Sequence, residues 1–146
     1  RYELLFINDG SRDRTLAILK TLAAADPNVR VLSFSRNFGH QPAVTAGLQH
    51  CGGDVAIIID ADLQDPPELF PEMVDIYLRE GANVVCAVRR QRKGESAFKK
   101  LTARLFYRTI NYLSEVPLPL DTGDFRLVDR KVIDEFRRLG ERNKYI

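Results

Sequence analysis

Short apolar segments alternate along the chain with segments in which apolar residues recur at helical spacing. Four segments are almost continuously apolar and rich in Val and Ile, at residues 4–7, 29–34, 55–59 and 84–88. Continuous apolarity over so short a length is typical of strands that are covered on both faces of a sheet. The pattern therefore predicts four buried strands joined by helices.

Helical periodicity follows each of the first three strands, at about residues 13–25, 41–50 and 66–79. The third segment has a start signal, because Asp65 can cap it and Pro66 and Pro67 occupy its first turn, where a missing N–H is tolerated. This alternation predicts an α/β fold with a mostly parallel, Rossmann-like sheet flanked by helices on both faces. No linker-like segment divides the chain, so residues 1–146 are expected to form a single domain.

A last helix is predicted at residues 129–139. Four apolar residues are expected on its core side: Val132, Ile133, Phe136 and Leu139.

Charged and polar side chains follow each predicted strand at its carboxyl end. The four segments are Asn8-Asp9-Gly10-Ser11, Ser35-Arg36-Asn37, Asp60-Ala61-Asp62 and Arg89-Arg90. In a parallel sheet these ends lie along one edge, and ligands of open α/β sheets bind at that edge. The sequence therefore predicts a polar ligand site there, although each segment taken alone is also compatible with a solvated loop.

Asp60 and Asp62 lie two residues apart just after a buried strand, and Gln64 follows at the same spacing. In an extended chain, side chains at positions i and i+2 point the same way, so these oxygens can face one hard cation. The set suits Mg²⁺ or Mn²⁺ that keeps positions open for substrate phosphates. Paired aspartates are also common in loops, so the spacing alone does not establish a metal site.

Further candidates suit a nucleotide ligand. Asp9 begins a Gly-Ser turn, where its carboxylate can accept hydrogen bonds from a base or ribose, or can simply stabilise the turn. Arg89, Arg90 and Arg92 supply planar cationic donors that suit phosphate oxygens, with a solvated loop as the alternative. His40 is interpreted as a surface or packing residue that lies close enough to the strand edge to approach a ligand.

The composition narrows the classes of function. The chain has 146 residues, with 22 Lys and Arg against 20 Asp and Glu and a formal net charge of +2. So balanced a charge gives no reason to expect nucleic-acid binding. No apolar run approaches the ~18 residues that cross a bilayer, and Cys51 and Cys86 are interpreted as free thiols in a reducing compartment.

Four segments resemble motifs of the family 2 glycosyltransferases of GT-A fold. They are Asn8-Asp9-Gly10-Ser11-Arg12-Asp13-Arg14-Thr15, Arg36-Asn37-Phe38-Gly39-His40-Gln41, Asp60-Ala61-Asp62-Leu63-Gln64-Asp65-Pro66-Pro67-Glu68 and Thr122-Gly123-Asp124-Phe125-Arg126-Leu127. The resemblance is closest to the polyprenyl-phosphate glycosyltransferases, the group that contains dolichol-phosphate mannose synthase and the bacterial bactoprenol glucosyltransferases. It covers almost the whole chain, and the third and fourth motifs together are far more specific than paired aspartates.

The resemblance implies a role for each candidate residue. Nucleotide-sugar binding is implied for Asp9, which would contact the base, and for Arg36, Asp60, Arg89, Arg90 and Arg92. Ligation of Mg²⁺ or Mn²⁺ on the donor diphosphate is implied for Asp60, Asp62 and Gln64. Catalysis is implied for Asp124, at the reacting centre, and for Arg126 beside it.

Members of this group transfer a sugar from a nucleotide diphosphate sugar, such as a UDP- or GDP-sugar, to a polyprenyl phosphate, with inversion at the anomeric carbon. A phosphate monoester is already an anionic nucleophile near neutral pH, so it needs little general-base help. The resemblance therefore implies that Asp124 orients the acceptor or stabilises positive charge on the sugar.

Residues 96–114 have a helical pattern in which Lys99, Lys100 and Arg104 accompany an apolar side. Such a helix can lie in the interface of an anionic membrane, or it can pack on its own sheet. The resemblance implies a membrane-anchored protein on the cytoplasmic face, with homo-oligomers left open. The chain is interpreted as a fragment that lacks the family's first strand and its segment after Ile146.

Two alternatives stay open. A family 2 enzyme with a hydroxyl acceptor, building a polysaccharide or cell-envelope glycan, would need Asp124 as a true base. A non-catalytic phospho-receiver-like module also has carboxylates at its strand ends. That module would need a Lys after the strand at residues 84–88, where this chain has Arg89, and it would not explain the motif around Asp124.

Overall fold

The computed structural model describes residues 1–88 and 122–140, with only the backbone described at residues 122 and 123. The elements in chain order are strand β1 (Leu4–Asn8), helix α1 (Thr15–Ala25), strand β2 (Val29–Ser33), helix α2 (His40–His50), strand β3 (Val55–Ile58), a 3₁₀ turn (Pro67–Leu69), helix α3 (Phe70–Glu80), strand β4 (Val84–Val88), strand β5 (Thr122–Asp129) and helix α4 (Arg130–Arg138). The four predicted strands are all present, and the predicted α/β alternation is confirmed.

The strands form two hydrogen-bonded groups. β1 and β2 pair in parallel, with Leu4 beside Val29 and Asn8 beside Ser33. The second group has the order β3-β5-β4, and β5 is antiparallel to both of its neighbours. Since β3 and β4 each pair antiparallel with the same strand, they run parallel to one another, as their sequences predicted.

The central strand β5 is the element that the apolar pattern did not reveal. Asp124 and Arg126 alternate with Phe125 and Leu127, so the segment lacks the continuous apolarity of the other strands. Phe125 and Leu127 are nevertheless almost completely buried. Among the described strands, β5 alone is antiparallel, which agrees with the expected mostly parallel sheet and places the exception at the centre of the second group.

Helices cover both faces of the β3-β5-β4 group. On one face, Met73 of α3 packs with Phe125 and Leu127. On the other, Val128 packs with buried residues of α2 and α4, namely Leu48, Ile133 and Phe136. Because side chains alternate along a strand, Asp124 and Arg126 lie on the α2 side of β5, together with Val128.

Helix α3 starts later than predicted. A 3₁₀ turn at Pro67–Leu69 precedes it, and the two N-cap positions are Pro66 and Leu69, neither of which forms a side-chain cap hydrogen bond, so Asp65 is not at an N-cap position. The cause is local, because a residue before proline is driven out of the helical region, and Pro66 is extended with φ −81° and ψ 116°.

Helix α4 matches its prediction at the start but not at the end. The Asp129 carboxylate accepts a hydrogen bond from the Val132 N–H at 2.8 Å and so caps the helix. Ile133 and Phe136 are buried, whereas Leu139 follows the last helical residue and is 51% exposed. Leu139 is therefore not a core residue.

No helix within residues 1–88 and 122–140 has the length and apolarity that crossing a membrane requires. The basic helix predicted at residues 96–114 lies outside the described residues.

Candidate functional site

Asp60 and Asp124 come together because β5 runs antiparallel to β3. The last paired residues at this end are Ile58 and Arg126. Continuing the same register for two more residues brings Asp60, just past the end of β3, level with Asp124. The predicted meeting of polar groups at the strand ends is therefore found here, and one partner comes from β5.

Asp124 is held by side chains from two different elements. His40 Nε2 lies 2.5 Å from its Oδ2 atom, and Arg126 Nη2 lies 3.1 Å from its Oδ1 atom. The His40 Nδ1 atom lies 3.7 Å from Asp60 Oδ1, which is an ion-pair distance rather than a hydrogen bond. His40 thus connects the two aspartates for which the family resemblance implies metal binding and a place at the reacting centre.

His40 has more contacts at the site than was expected of a surface or packing residue near the strand edge. The side chain is 42% exposed, yet it is the meeting point of Asp60 and Asp124. One signal was available, because His40 directly follows a glycine at the start of a helix on the ligand edge of the sheet.

Asp9 binds the loop that leads into α2. Its two carboxylate oxygens accept the backbone N–H groups of Phe38, at 2.7 Å, and Gly39, at 2.9 Å. Gly39 has φ +98° and ψ 168°, a conformation that is essentially restricted to glycine. Asp9 therefore stabilises the loop before α2 rather than the Gly-Ser turn that it begins, where the Ser11 N–H donates to Asn8 Oδ1. Contact of Asp9 with a base stays a prediction.

Gly10 allows the β1 turn to approach the same loop closely. It has φ +69°, and a Cβ atom built there would lie 2.4 Å from the carbonyl carbon of Arg36 and 2.5 Å from the Asn37 nitrogen. Contacts below 3.0 Å are not tolerated, so no other residue fits without moving the loop. Gly10 and Asp9 together fix the position of the segment that precedes His40.

Arg36 lies at the same rim and stacks on an aromatic ring. Its guanidinium carbon is 4.3 Å from the centroid of Phe38, which meets Phe34 edge-on at 5.5 Å. Stacking of this kind orients a guanidinium while leaving its N–H groups available. The predicted nucleotide-sugar contact of Arg36 stays a prediction.

The segment from Asp60 to Gln64 is not extended, which corrects the premise of the metal prediction. Residues 61–62 form a turn, and the Asp62 Oδ1 atom accepts the backbone N–H of Gln64 at 3.0 Å. Leu63 between them is 94% exposed and has φ +63°, a conformation that non-glycine residues seldom adopt. Because of this turn, the expectation that Asp60 and Asp62 point the same way, which assumed an extended chain, does not apply.

Whether these residues fit a divalent ion depends on their chemistry. The described part of the chain has no group of three or more His, Cys, Asp or Glu side chains placed to share a metal. Mg²⁺ at phosphate-transfer sites takes one or two protein carboxylates and completes its shell with water and substrate phosphates. The oxygen donors of Asp60 and Asp62 fit that requirement.

Several predicted site residues lie outside the described residues. They are Arg89, Arg90, Arg92, Lys99, Lys100 and Arg104. Their nucleotide-sugar, acceptor or membrane contacts stay predictions.

Comparison with known proteins identifies the family. Residues 1–137 match the family described as glycosyl transferase family 2. The chain belongs to this family. Since the match includes nearly all described elements, the resemblance seen in the sequence is confirmed.

Two curated relatives show how much of a longer protein the chain represents. It is 54% identical over 145 residues to the uncharacterized glycosyltransferase YkcC of Bacillus subtilis, covering 99% of this chain and 45% of the relative. It is 44% identical over 144 residues to the bactoprenol glucosyl transferase of Shigella phage SfV, covering 99% of this chain and 47% of the relative. The chain thus spans about half the length of the curated relatives it matches.

A solved structure supports the fold. The mannosyltransferase PcManGT from Pyrobaculum calidifontis, in complex with GDP-Man and Mn²⁺, superposes with a TM-score of 0.59 at 18% identity, over 91% of this chain and 36% of that chain. At this identity the likeness shows the fold alone. It confirms the predicted α/β fold of GT-A type.

Proposed function

We propose that this glycosyltransferase domain transfers a sugar from a nucleotide diphosphate sugar, such as a UDP- or GDP-sugar, to a polyprenyl phosphate, with inversion at the anomeric carbon. The observation that carries the proposal is the contact of Asp60, His40 and Asp124 at the carboxyl end of β3. The bactoprenol glucosyl transferase name of a relative 44% identical over this chain supports a lipid phosphate as acceptor.

The proposed reaction is a single displacement. A phosphate oxygen of the acceptor forms a bond to the anomeric carbon, on the face opposite to the leaving group. The bond from that carbon to the donor's diphosphate oxygen breaks, and its electron pair leaves with the nucleoside diphosphate. No proton has to be removed from the nucleophile, because a phosphate monoester carries a charge of about −1.5 to −2 at pH 7.

Asp124 then acts without removing a proton. It stabilises positive charge that develops on the sugar, or it orients the acceptor, and Arg126 holds one of its oxygens at 3.1 Å. Because Asp124 is 33% exposed on its side chain, it is open to a substrate at the rim. With a hydroxyl acceptor, the alternative in this family, the same carboxylate would have to take the proton.

The remaining residues bind the donor. Asp60, Asp62 and Gln64 are proposed to hold Mg²⁺ or Mn²⁺, which when bound neutralises charge on the leaving diphosphate. The Mn²⁺ and GDP-Man in the PcManGT complex support this assignment by analogy of fold. Contacts to the nucleotide and phosphates are proposed for Asp9, Arg36, Arg89, Arg90 and Arg92.

The proposed acceptor, a polyprenyl phosphate, is a membrane lipid, so the proposed reaction takes place at a membrane. We assign the basic segment with Lys99, Lys100 and Arg104 to the acceptor side, where cations attract anionic lipid and polyprenyl phosphate. The full-length protein is then expected on the cytoplasmic face of a membrane, where nucleotide sugars are made.

The deciding experiment is a transfer assay with the full-length protein, polyprenyl phosphate vesicles and several radiolabelled nucleotide sugars. Label is expected in an organic-extractable product that mild acid releases. Label found only in water-soluble product would favour the hydroxyl-acceptor alternative, and in that case the pH–rate profile should show ionisation of a base.

Metal dependence is tested separately by calorimetry of nucleoside diphosphate binding with Mg²⁺, Mn²⁺ or chelator. Chelator and Asp62→Ala are each expected to weaken binding. Asp75→Ala is the matched control, since Asp75 is exposed on α3, away from the strand ends. Equal affinity in all of these samples would remove the metal assignment.

A further inference from the structure

His40 lies where three separate segments of the chain meet. It is the first residue of α2, and its ring reaches Asp124 at the start of β5 and Asp60 after β3. Helix α2 itself contacts β1 and α4, and its Leu48 packs in one cluster with Val128 of β5, so its position is fixed relative to both strand groups. The ring of His40 therefore belongs to a firmly packed helix and lies between the carboxylates of Asp60 and Asp124.

The loop in front of His40 is fixed as well. Asp9 holds the N–H groups of Phe38 and Gly39, and the absence of a side chain at Gly10 lets the neighbouring turn close on this loop. Displacing His40 would require breaking these backbone contacts. The backbone of His40 is thus held in place relative to β1. A residue can position another group only if its own backbone is held in this way.

The two donors to Asp124 have different effects. Arg126 lies two residues away on the same strand, so its bond to Oδ1 links the carboxylate to a neighbour on β5. His40 binds the other oxygen, Oδ2, from a different element. The His40 contact therefore links the Asp124 carboxylate to α2 and, through the same ring, to Asp60.

We propose that His40 is a positioning residue that holds the Asp124 carboxylate in its reactive orientation beside Asp60. The proposal rests on the function proposed above, in which Asp124 acts at the anomeric centre. A carboxylate only accepts hydrogen bonds, so Nε2 is the donor, and it carries a proton in one neutral tautomer and in the charged ring alike. The role therefore requires no change in the charge of His40.

Side-chain geometry supplies a matched pair of substitutions. The amide nitrogen of glutamine lies one bond further from Cβ than that of asparagine, so it can occupy the position of Nε2. The amide of asparagine reaches only the position of Nδ1. His40→Gln should therefore keep the donor to Asp124, whereas His40→Asn and His40→Ala remove it.

The test measures kcat and KM for sugar transfer by the full-length variants. His40→Ala and His40→Asn are expected to lower kcat about 10- to 100-fold, the loss that an ångström-scale misplacement causes, with the donor KM within about twofold. His40→Gln should recover most of the lost kcat. His50→Ala, at the other end of the same helix and also exposed, should leave both constants unchanged.

Three results would overturn the positioning role. His40→Gln and His40→Ala could lose the same activity, which would mean that the donor is irrelevant. The loss could instead be in the apparent metal affinity or donor KM, which would place the effect at Asp60. In a double-mutant cycle with Asp124→Asn, fully additive losses would show that the two residues act independently, whereas a positioning role requires no further loss in the double variant.

One measurement needs no turnover and separates this proposal from the proposed function. The ring ¹⁵N resonances of His40 should shift in Asp124→Asn and stay in place in Asp75→Asn. An unchanged His40 spectrum in Asp124→Asn would overturn the positioning role. Failure of the parent protein to transfer sugar to polyprenyl phosphate, with this shift present, would overturn the proposed acceptor alone.

Discussion

The Arg137 guanidinium of α4 donates to the Leu48 carbonyl of α2, with its Nε atom 3.0 Å from the oxygen. Its Nη2 atom donates to the Cys51 carbonyl at 2.8 Å. The last carbonyls of a helix have no partner within that helix, so Arg137 supplies the donors that the end of α2 lacks. The helix that carries His40 at its start is thus fastened to α4 at its end.

Arg137→Ala should destabilise the protein by about 1–3 kcal/mol, since it removes a charged donor from each of two partly buried carbonyls. The Cys51 carbonyl would keep only the longer bond from Arg130, at 3.5 Å. Arg137→Lys should recover only part of the loss, because a single ammonium cannot reproduce the planar fork. Chemical denaturation measures both effects. Arg138→Ala is the control: its pair with Glu135 is 74% and 71% exposed, so a change of at most ~0.5 kcal/mol is expected. Equal losses at the two arginines would contradict the cap at the end of α2.

Gly10→Ala should destabilise the protein by about 1–3 kcal/mol, because alanine is strained at φ +69° and its Cβ would overlap the backbone of Arg36. The overlap should also displace the loop that carries Phe38 and Gly39. Gly140→Ala is the control, since a Cβ there meets no atom of the described residues within 4 Å and its φ is not positive. Thermal unfolding distinguishes the two variants, and equal melting temperatures would show that the loop moves freely.

Ile133→Ala should cost about 2–5 kcal/mol, the usual range for a fully buried aliphatic side chain. Leu139→Ala should cost far less, because Leu139 is 51% exposed beyond the end of α4. The pair tests the correction to the predicted core side of this helix. A comparable urea-denaturation loss for Leu139→Ala would place that residue back in the core.

Most strands and helices could be predicted from the sequence because each has a characteristic apolar pattern within its own segment. Strand β4 was predicted with its observed bounds, and Asp129 was predicted at the start of the last helix. Strand β5 was missed because its pattern serves two purposes, with Phe125 and Leu127 for the core and Asp124 for the site. Its antiparallel direction depends on pairing with β3 and β4, which local periodicity does not encode.

The candidate site shows the same limit. The motif around Asp124 drew attention to this residue, but its proximity to Asp60 follows from the register between two strands. The contact with His40 depends on where α2 begins relative to both. The turn at Asp62 arises from a side-chain to backbone hydrogen bond and a left-handed Leu63, which the spacing of the aspartates does not reveal.

Asp9 offers a test that separates its structural role from its proposed contact with the nucleotide. Each of its oxygens accepts a different backbone N–H, whereas an asparagine amide has one oxygen and presents N–H groups on its other side. Asp9→Asn should therefore destabilise the protein by about 1–2 kcal/mol, since the exposed N–H of Phe38 or the half-buried N–H of Gly39 loses its charged acceptor.

Asp26→Asn is the matched control for this change. The Asp26 Oδ1 atom alone accepts both the N–H and the side-chain amide of Asn28, so one amide oxygen can replace it, and a change of at most ~0.5 kcal/mol is expected. Calorimetry of UDP and GDP binding, at a temperature where both variants are folded, then tests the proposed contact of Asp9 with the nucleotide. Weaker binding in Asp9→Asn alone would support contact with the nucleotide, whereas unchanged affinity with lowered stability would restrict Asp9 to holding the loop in front of His40.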